Sequence, residues 1–201
     1  MKSKKNYFIV GIDEAGRGPL AGPLCVGAVG AKLKNKKEKL KILTGIKDSK
    51  KLSAQRREEW QKIIEKNFES HFVFVSHKII DKIGISKALK LGVEKVLEKF
   101  SRKPGMVLMD GSLFAPKIYD QRTIIKGDEK IPIISAASII AKVARDKKMF
   151  SLHKKFPQYC FDIHKGYGTK MHYEKIEIYG LSEIHRKTFC RNVLKQESHL
   201  R

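Results

Sequence analysis

The sequence predicts an α/β fold built on a mixed sheet, and two observations carry that expectation. Two apolar runs near the start, Tyr7–Asp13 and Leu24–Val29, are separated only by a short glycine-rich stretch, which suits an antiparallel pair. After them, helical and strand-like patterns alternate, as they do in α/β architectures. A chain of 201 residues with 41% hydrophobic content suits one domain with a sizeable core, here taken as residues 1–201 with a helical C-terminal region from about 170.

The elements follow in order. Lys32–Lys41 is dominated by lysine and reads as an exposed connection or a phosphate contact. Asp48-Ser49-Lys50-Lys51-Leu52-Ser53 leads into a helix with Ser53 as N-cap and Trp60, Ile63, Ile64 and Phe68 as its apolar face. His71–His77 alternates like a strand. Ser86 then caps a helix with an inward stripe of Leu89, Val93, Val96, Leu97 and Phe100, closed by Pro104-Gly105. Met106–Met109 and Thr123–Ile125 are short buried strands, ending in Asp110-Gly111 and in Lys126-Gly127-Asp128. Residues 134–154 form a helix whose small residues suit close packing on a sheet, and Thr169 caps a last helix ending at Gly180. No internal repeat or low-complexity tract interrupts this order.

Composition narrows the function classes. Lys and Arg number 43 against 21 Asp and Glu, a formal charge of +22, which points to a polyanionic partner such as nucleic acid. A lysine-biased proteome accounts for part of that excess, and charge sets affinity rather than chemistry. No apolar run approaches the ~20 residues of a membrane span, and Tyr7–Ile12 is too short for a signal peptide, so a cytoplasmic protein without membrane association is expected. Cys25, Cys160 and Cys190 are scattered and form no CxxC pair, which disfavours a disulfide framework or a cysteine zinc site. Nothing signals an oligomer, so a monomer is the default expectation.

The chemistry concentrates in Gly11-Ile12-Asp13-Glu14-Ala15-Gly16-Arg17-Gly18-Pro19. Two carboxylates end an apolar run, where burial is costly unless a cation meets them. Asp13, Asp110 and Asp128 share that context, each following a strand-like run with a glycine nearby, and open α/β sheets gather their sites at strand ends. On an unbroken strand Asp13 and Glu14 point to opposite faces, and a turn at Ala15-Gly16 can bring both near one site. Taken singly, Asp110 and Asp128 read as turn or cap residues. Taken together, these acids repel one another and suit a hard divalent cation, Mg²⁺ or Mn²⁺ rather than zinc. Gly16-Arg17-Gly18 matches neither a Walker loop nor a dinucleotide fingerprint, but its glycines allow close backbone approach to a sugar or phosphate. In His164-Lys165-Gly166-Tyr167-Gly168-Thr169, Tyr167 suits stacking on a sugar or base, while His164 reads as a hydrogen-bonding support.

These segments resemble ribonuclease HII. So do Asp48-Ser49-Lys50-Lys51-Leu52-Ser53, the run from Ser135 to Asp146, and His185-Arg186-Lys187-Thr188-Phe189, in the family's order along nearly the whole chain. The resemblance implies a ribonuclease H-like fold: a central five-stranded mixed sheet flanked by helices, with a helical C-terminal part. It implies that Asp13, Glu14, Asp110 and Asp128 are the catalytic, metal-binding carboxylates. It also implies that Gly16, Arg17, Gly18 and Tyr167 recognise a ribonucleotide at an RNA–DNA junction.

The implied reaction is two-metal hydrolysis of the RNA strand of RNA–DNA hybrids, with nicking 5′ of ribonucleotides embedded in duplex DNA, leaving 3′-hydroxyl and 5′-phosphate ends. Tyr167 is then expected to test the following deoxyribose. Lys50, with Lys51, Lys142, Arg145 and Arg186, is a candidate phosphate contact. The related ribonuclease HIII carries an extra N-terminal domain, whereas this chain reaches its first strand by residue 7. No clamp-binding peptide is evident in Lys195–Arg201. Two other readings stand beside this one: a non-catalytic, basic nucleic-acid-binding protein, and a different metal-dependent nuclease or nucleotidyl transferase on the same fold.

Overall fold

The computed structural model describes residues 8–32, 41–43, 45–46 and 52–191. Lys50 and Lys51, most of the Lys32–Lys41 connection and residues 192–201 therefore lie outside the described residues. Five strands form one mixed sheet in the order β3-β2-β1-β4-β5. β1 (Phe8–Ala15) and β2 (Leu24–Lys32) pair antiparallel over their full length, from Phe8 opposite Lys32 to Ala15 opposite Cys25. β3 (Glu69–Val75) continues antiparallel beside β2. On the other side β4 (Met106–Asp110) runs parallel to β1, and β5 (Gln121–Ile124) parallel to β4.

Alternation along β1 assigns the two faces. Val10 and Ile12 join the core under helix α3 (Ile85–Leu97), with Leu89, Val93, Val96 and Leu97 of its inward stripe. Ile9 joins the opposite core, beneath α1 (Ala54–Asn67) and the long helix α5 (Pro132–Lys155), with Trp60, Ile64, Ile133 and Ile140. Ser53 caps α1 as the sequence predicts, its hydroxyl accepting from the Arg56 N–H at 3.2 Å. The α5 contact is unusually close because glycines line the sheet there. A Cβ at Gly27 would lie 2.6 Å from the Ala137 carbonyl oxygen, and one at Gly11 2.4 Å from that of Ile133.

Several boundaries differ from expectation for local reasons. The strand predicted over His71–His77 stops at Val75 because Ser76 caps a further helix, α2 (His77–Ile83), accepting from the Ile79 N–H. Gly84, at φ +80°, then separates α2 from α3, which starts at Ile85 rather than behind a Ser86 cap. β5 ends at Ile124, and a left-handed Lys126 leads into α4 (Gly127–Lys130), a single turn too short to show a helical period.

A third, small core packs Met149 of α5 with Tyr159 and with Phe161 of α6 (Phe161–His164). After a further glycine-rich segment comes α7 (Lys170–Tyr179), whose N-cap Thr169 accepts from the His172 N–H and whose Ile176 packs with Leu20 and Cys190. Three buried histidines organise this part. His172 Nδ1 donates to the Tyr167 carbonyl at 2.9 Å, so its Nε2 accepts from His185 Nε2 at 3.1 Å. His185 Nδ1 in turn accepts from the Ser182 N–H at 2.9 Å. His164 accepts from the Gly166 N–H and donates to the Tyr159 carbonyl, the supporting role its sequence context suggests. Every ring is held neutral in one tautomer, and the chain of bonds ends on the backbone of Tyr167.

Two outcomes are expected. Gly27→Ala forces α5 off the sheet and costs ~2 kcal/mol of stability, read by urea unfolding; an unchanged midpoint refutes the close-contact account. Burial lowers both His172 and His185 from 6.5 to about 4. Between those values the unfolded chain takes up protons that the folded chain refuses. Stability is therefore full above pH 6.5 and declines as pH falls towards 4. Unfolding measured across that range in the parent and in His185→Gln checks this, the variant showing the shallower decline.

Candidate active site

The parallel register sets Ile12 beside Met109, so the next residues, Asp13 within β1 and Asp110 at the end of β4, stand side by side. Helix α4 brings Asp128 to the same point. Oxygens of Asp13, Asp110 and Asp128 all lie within 4.8 Å of one another, with Asp13 and Asp128 buried. Asp110 accepts from the Gly127 N–H at 2.6 Å, which ties the strand end to the turn that presents Asp128. The Ser135 hydroxyl donates to the Asp128 carbonyl and joins α4 to α5.

Glu14 stands next to this group. The strand runs on through Ala15, the chain turns at Gly16 (φ +90°), and the Glu14 carboxylate shares a hydrogen bond with that of Asp13. It lies 4.0 Å from Arg17 Nη1. Burial raises its pKa, Arg17 pulls it back, the charge of Asp110 raises it further, and the hydrogen bond with Asp13 lowers it. Asp13 is raised well above the ordinary carboxylate value, first by burial and then by the charge of Glu14. A hydrogen bond from Ser138 and one from the Glu14 N–H at 2.8 Å oppose that shift.

Such a group fits a divalent cation. Converging carboxylate oxygens are the hard donors that Mg²⁺ and Mn²⁺ take, and a cation there offsets the burial and the repulsion that hold Asp13 towards its neutral form. Asp13, Asp110 and Asp128 are the residues placed to hold it, with Glu14 beside Asp13.

Beside the acids opens a pocket of about 330 Å³, lined by Glu14, Gly16, Arg17, Gly18, Lys142 and Tyr167 among others. The glycine-rich segment and the Tyr167 segment, far apart in sequence, thus share one wall. The Leu20 N–H donates to the Gly166 carbonyl at 2.8 Å and joins them directly. Tyr167 is 41% exposed, and the Arg145 guanidinium lies 5.6 Å from its ring centre on the buried side. Gly16 adopts φ +90°, and a Cβ there would sit 1.9 Å from Arg145 Nε, so glycine is required on both counts.

The basic residues divide. Lys142 lines the pocket, held by Asp146 at 2.9 Å, which accounts for Asp146 as an ion-pair partner. Arg145 and Arg186, expected as phosphate contacts, are fully buried and donate instead to backbone carbonyls. Sequence reasoning also passed over Arg57 and Ser138, which line the pocket. The signal for Ser138 was present, as one of two hydroxyls, with Ser135, in a largely apolar buried run of α5. Arg57 gives no such signal, since it is one of several charged residues on an exposed helix.

No helix among the described residues is long and apolar enough to cross a membrane. The family model described as ribonuclease HII matches residues 10–192. A ribonuclease HII from Caldicellulosiruptor bescii is 43% identical over 188 residues, covering 93% of this chain and 88% of that protein. Among solved structures, ribonuclease H2 from Pyrococcus horikoshii superposes with a TM-score of 0.77 at 28% identity, covering 94% of this chain and 98% of that one. The ribonuclease HII of Archaeoglobus fulgidus, solved in complex with PCNA, gives 0.76 at 29% identity, covering 92% and 96%.

Proposed function

The chain belongs to the ribonuclease HII family, and on that premise we propose that it hydrolyses the RNA strand of RNA–DNA hybrids and nicks 5′ of ribonucleotides embedded in duplex DNA. The observation that carries the reading is the placement of three converging carboxylates against a pocket walled by Gly16–Gly18 and Tyr167. Acids alone repel a phosphate backbone. Acids that share a cation attract it, and the surrounding +22 charge favours the approach.

On this reading Asp13, Asp110 and Asp128 hold divalent cation at the scissile phosphate, with Glu14 completing the set. Mg²⁺ or Mn²⁺ bound there supplies an activated water and charge stabilisation for the departing 3′ oxygen. The protein's own groups do the rest. Ser138 and the Glu14 N–H orient the Asp13 carboxylate. The Gly127 N–H orients Asp110. The backbone of Gly16, Arg17 and Gly18 approaches the ribose, whose 2′-hydroxyl is the group that distinguishes RNA from DNA. Tyr167, backed by Arg145, packs on the following sugar and is favoured when that sugar lacks a 2′-hydroxyl. Lys142 and Arg57 are placed to meet the phosphate backbone.

Three acids a few ångströms apart make metal binding collective, so one substitution should disable the group while leaving the basic surface. Asp110→Asn is expected to lose at least ~10³-fold in turnover on a labelled duplex carrying one ribonucleotide, while still binding it. A variant rate near the parent's sinks the assignment. Tyr167→Ala is expected to slow single-ribonucleotide cleavage by ~10-fold or more, from loss of stacking. An unchanged rate removes Tyr167 from the site. On the parent, Mg²⁺-dependent cutting only at the ribonucleotide supports the reading, cutting elsewhere indicates another nuclease, and no cutting leaves a binding protein.

A further inference from the structure

Arg186 belongs to neither the acids nor the pocket lining, yet its whole guanidinium is directed at one loop. Nε donates to the Gly22 carbonyl at 3.0 Å, Nη1 to that of Arg17 at 2.9 Å, and Nη2 to that of Gly16 at 2.7 Å. The fork therefore spans the glycine-rich segment from its first turn to its return into β2. Its own backbone is anchored separately. The Arg186 N–H donates to the Leu20 carbonyl at 2.7 Å, the Gly22 N–H donates to the Ile184 carbonyl at 3.0 Å, and Ala21 bridges to His185.

Arg186 is fully buried, and burial together with the like charge of Arg145 lowers it to about 9, so it stays charged at neutral pH. A buried cation needs hydrogen bonds, and here carbonyl oxygens supply them. The orientation of those carbonyls has a consequence for the opposite side of the loop. In a planar trans peptide the C=O and the following N–H point in opposite directions, and no cis peptide occurs among the described residues. With the Gly16 and Arg17 carbonyls turned onto Arg186, the Arg17 and Gly18 N–H groups face away from it. Arg17 and Gly18 are exposed and line the pocket shared with Tyr167.

We propose that Arg186 is a positioning residue for ribose recognition, holding the Gly16 and Arg17 carbonyls inward so that the Arg17 and Gly18 N–H groups are presented to the 2′-hydroxyl oxygen and the neighbouring phosphate. The proposal rests on reading Gly16–Gly18 as the ribose-sensing loop and adds what sets its donors. A planar fork is required for this, because a lysine in the same place supplies a compact charge that cannot engage all three carbonyls at once.

The test compares single-turnover cleavage of two duplexes, one with a single ribonucleotide and one with a 2′-fluoro nucleotide at the same position. Fluorine is a poor hydrogen-bond acceptor, so the rate ratio reports the donors of the loop. Arg186→Lys is expected to lower the ribo-to-fluoro ratio by ~10-fold, the worth of about one hydrogen bond, while Mn²⁺ binding followed by electron paramagnetic resonance stays as in the parent. A general loss of structure lowers both rates together and leaves the ratio alone, and that outcome overturns the proposal, as does an unchanged ratio with full activity. A measurement on the unsubstituted protein covers the case in which the variant does not fold. With Ca²⁺ in place of a catalytic ion, the Arg17 and Gly18 amide resonances are expected to shift further on binding the ribonucleotide duplex than on binding the all-DNA duplex. Equal shifts overturn the proposal. A parent that cuts both duplexes equally would instead refute the ribose-sensing loop itself, a result that needs no variant.

Discussion

At Gly11 and Gly27 no side chain separates the sheet from helix α5, and the carbonyls of Ile133 and Ala137 come within van der Waals contact of strand backbone. That contact places the site. Ile133, Ala137 and Ala141 recur every four residues and face the sheet. Beside them Ser138, Lys142 and Arg145 form a neighbouring stripe. Ser138 reaches Asp13, Lys142 lines the pocket, and Arg145 reaches the Pro23 and Ala21 carbonyls. At its N-terminal end, through Ser135, α5 is joined to α4, which carries Asp128. One helix thus fixes the third acid, the support of the first acid and the underside of the recognition loop. A displacement of α5 by even one methyl group would disturb all three together.

Opposite charges are kept apart in this arrangement. Three carboxylates converge, while two guanidiniums lie buried close by without being used to neutralise them. Arg145 and Arg186 are instead held by carbonyls of the loop from Gly16 to Pro23. Had either reached the acids, the group would be satisfied internally and would have little affinity for an external cation. Burial, and then the charge of Glu14, hold Asp13 well above the ordinary carboxylate value. Arg17 approaches Glu14 at 4.0 Å and donates to the Ser112 hydroxyl at 3.0 Å, while remaining half exposed at the pocket.

Much of this was legible in the sequence because the relevant signals are local. The apolar runs before Asp13 and Asp110 give two strand ends, and Ser53 and Thr169 announce their helices through side-chain caps. The acids were identifiable as a group from their shared context. What escaped the sequence depends on packing between distant segments. That β1 pairs with β2 as far as Ala15, carrying Glu14 on the strand beside Asp13, is dictated by no local residue. That Arg145 and Arg186 are buried cannot be read from a residue type usually found at the surface. The single-turn helix bearing Asp128 is likewise too short to leave a periodic trace, and its conformation depends on the left-handed Lys126 before it.

The proximity of acids and loop has a physical reason. From Asp13 to Arg17 the chain can span at most ~14 Å, and for its first half it is pinned as a central strand. At Gly16 it must turn at once, since φ +90° and the Arg145 side chain leave no other course. On the proposed reading, the atoms that sense the ribose and those that hold the cation thereby share one short segment, braced by α5 on one side and by Arg186 on the other. Slack between the two would let a deoxyribose sit at the loop while its phosphate still reached the acids. A rigid connection removes that possibility: a sugar that does not engage the loop leaves its phosphate misplaced. Selectivity then arises from positioning the reactive phosphate, with no need for strong binding, which suits a site embedded in a surface whose charge holds any duplex.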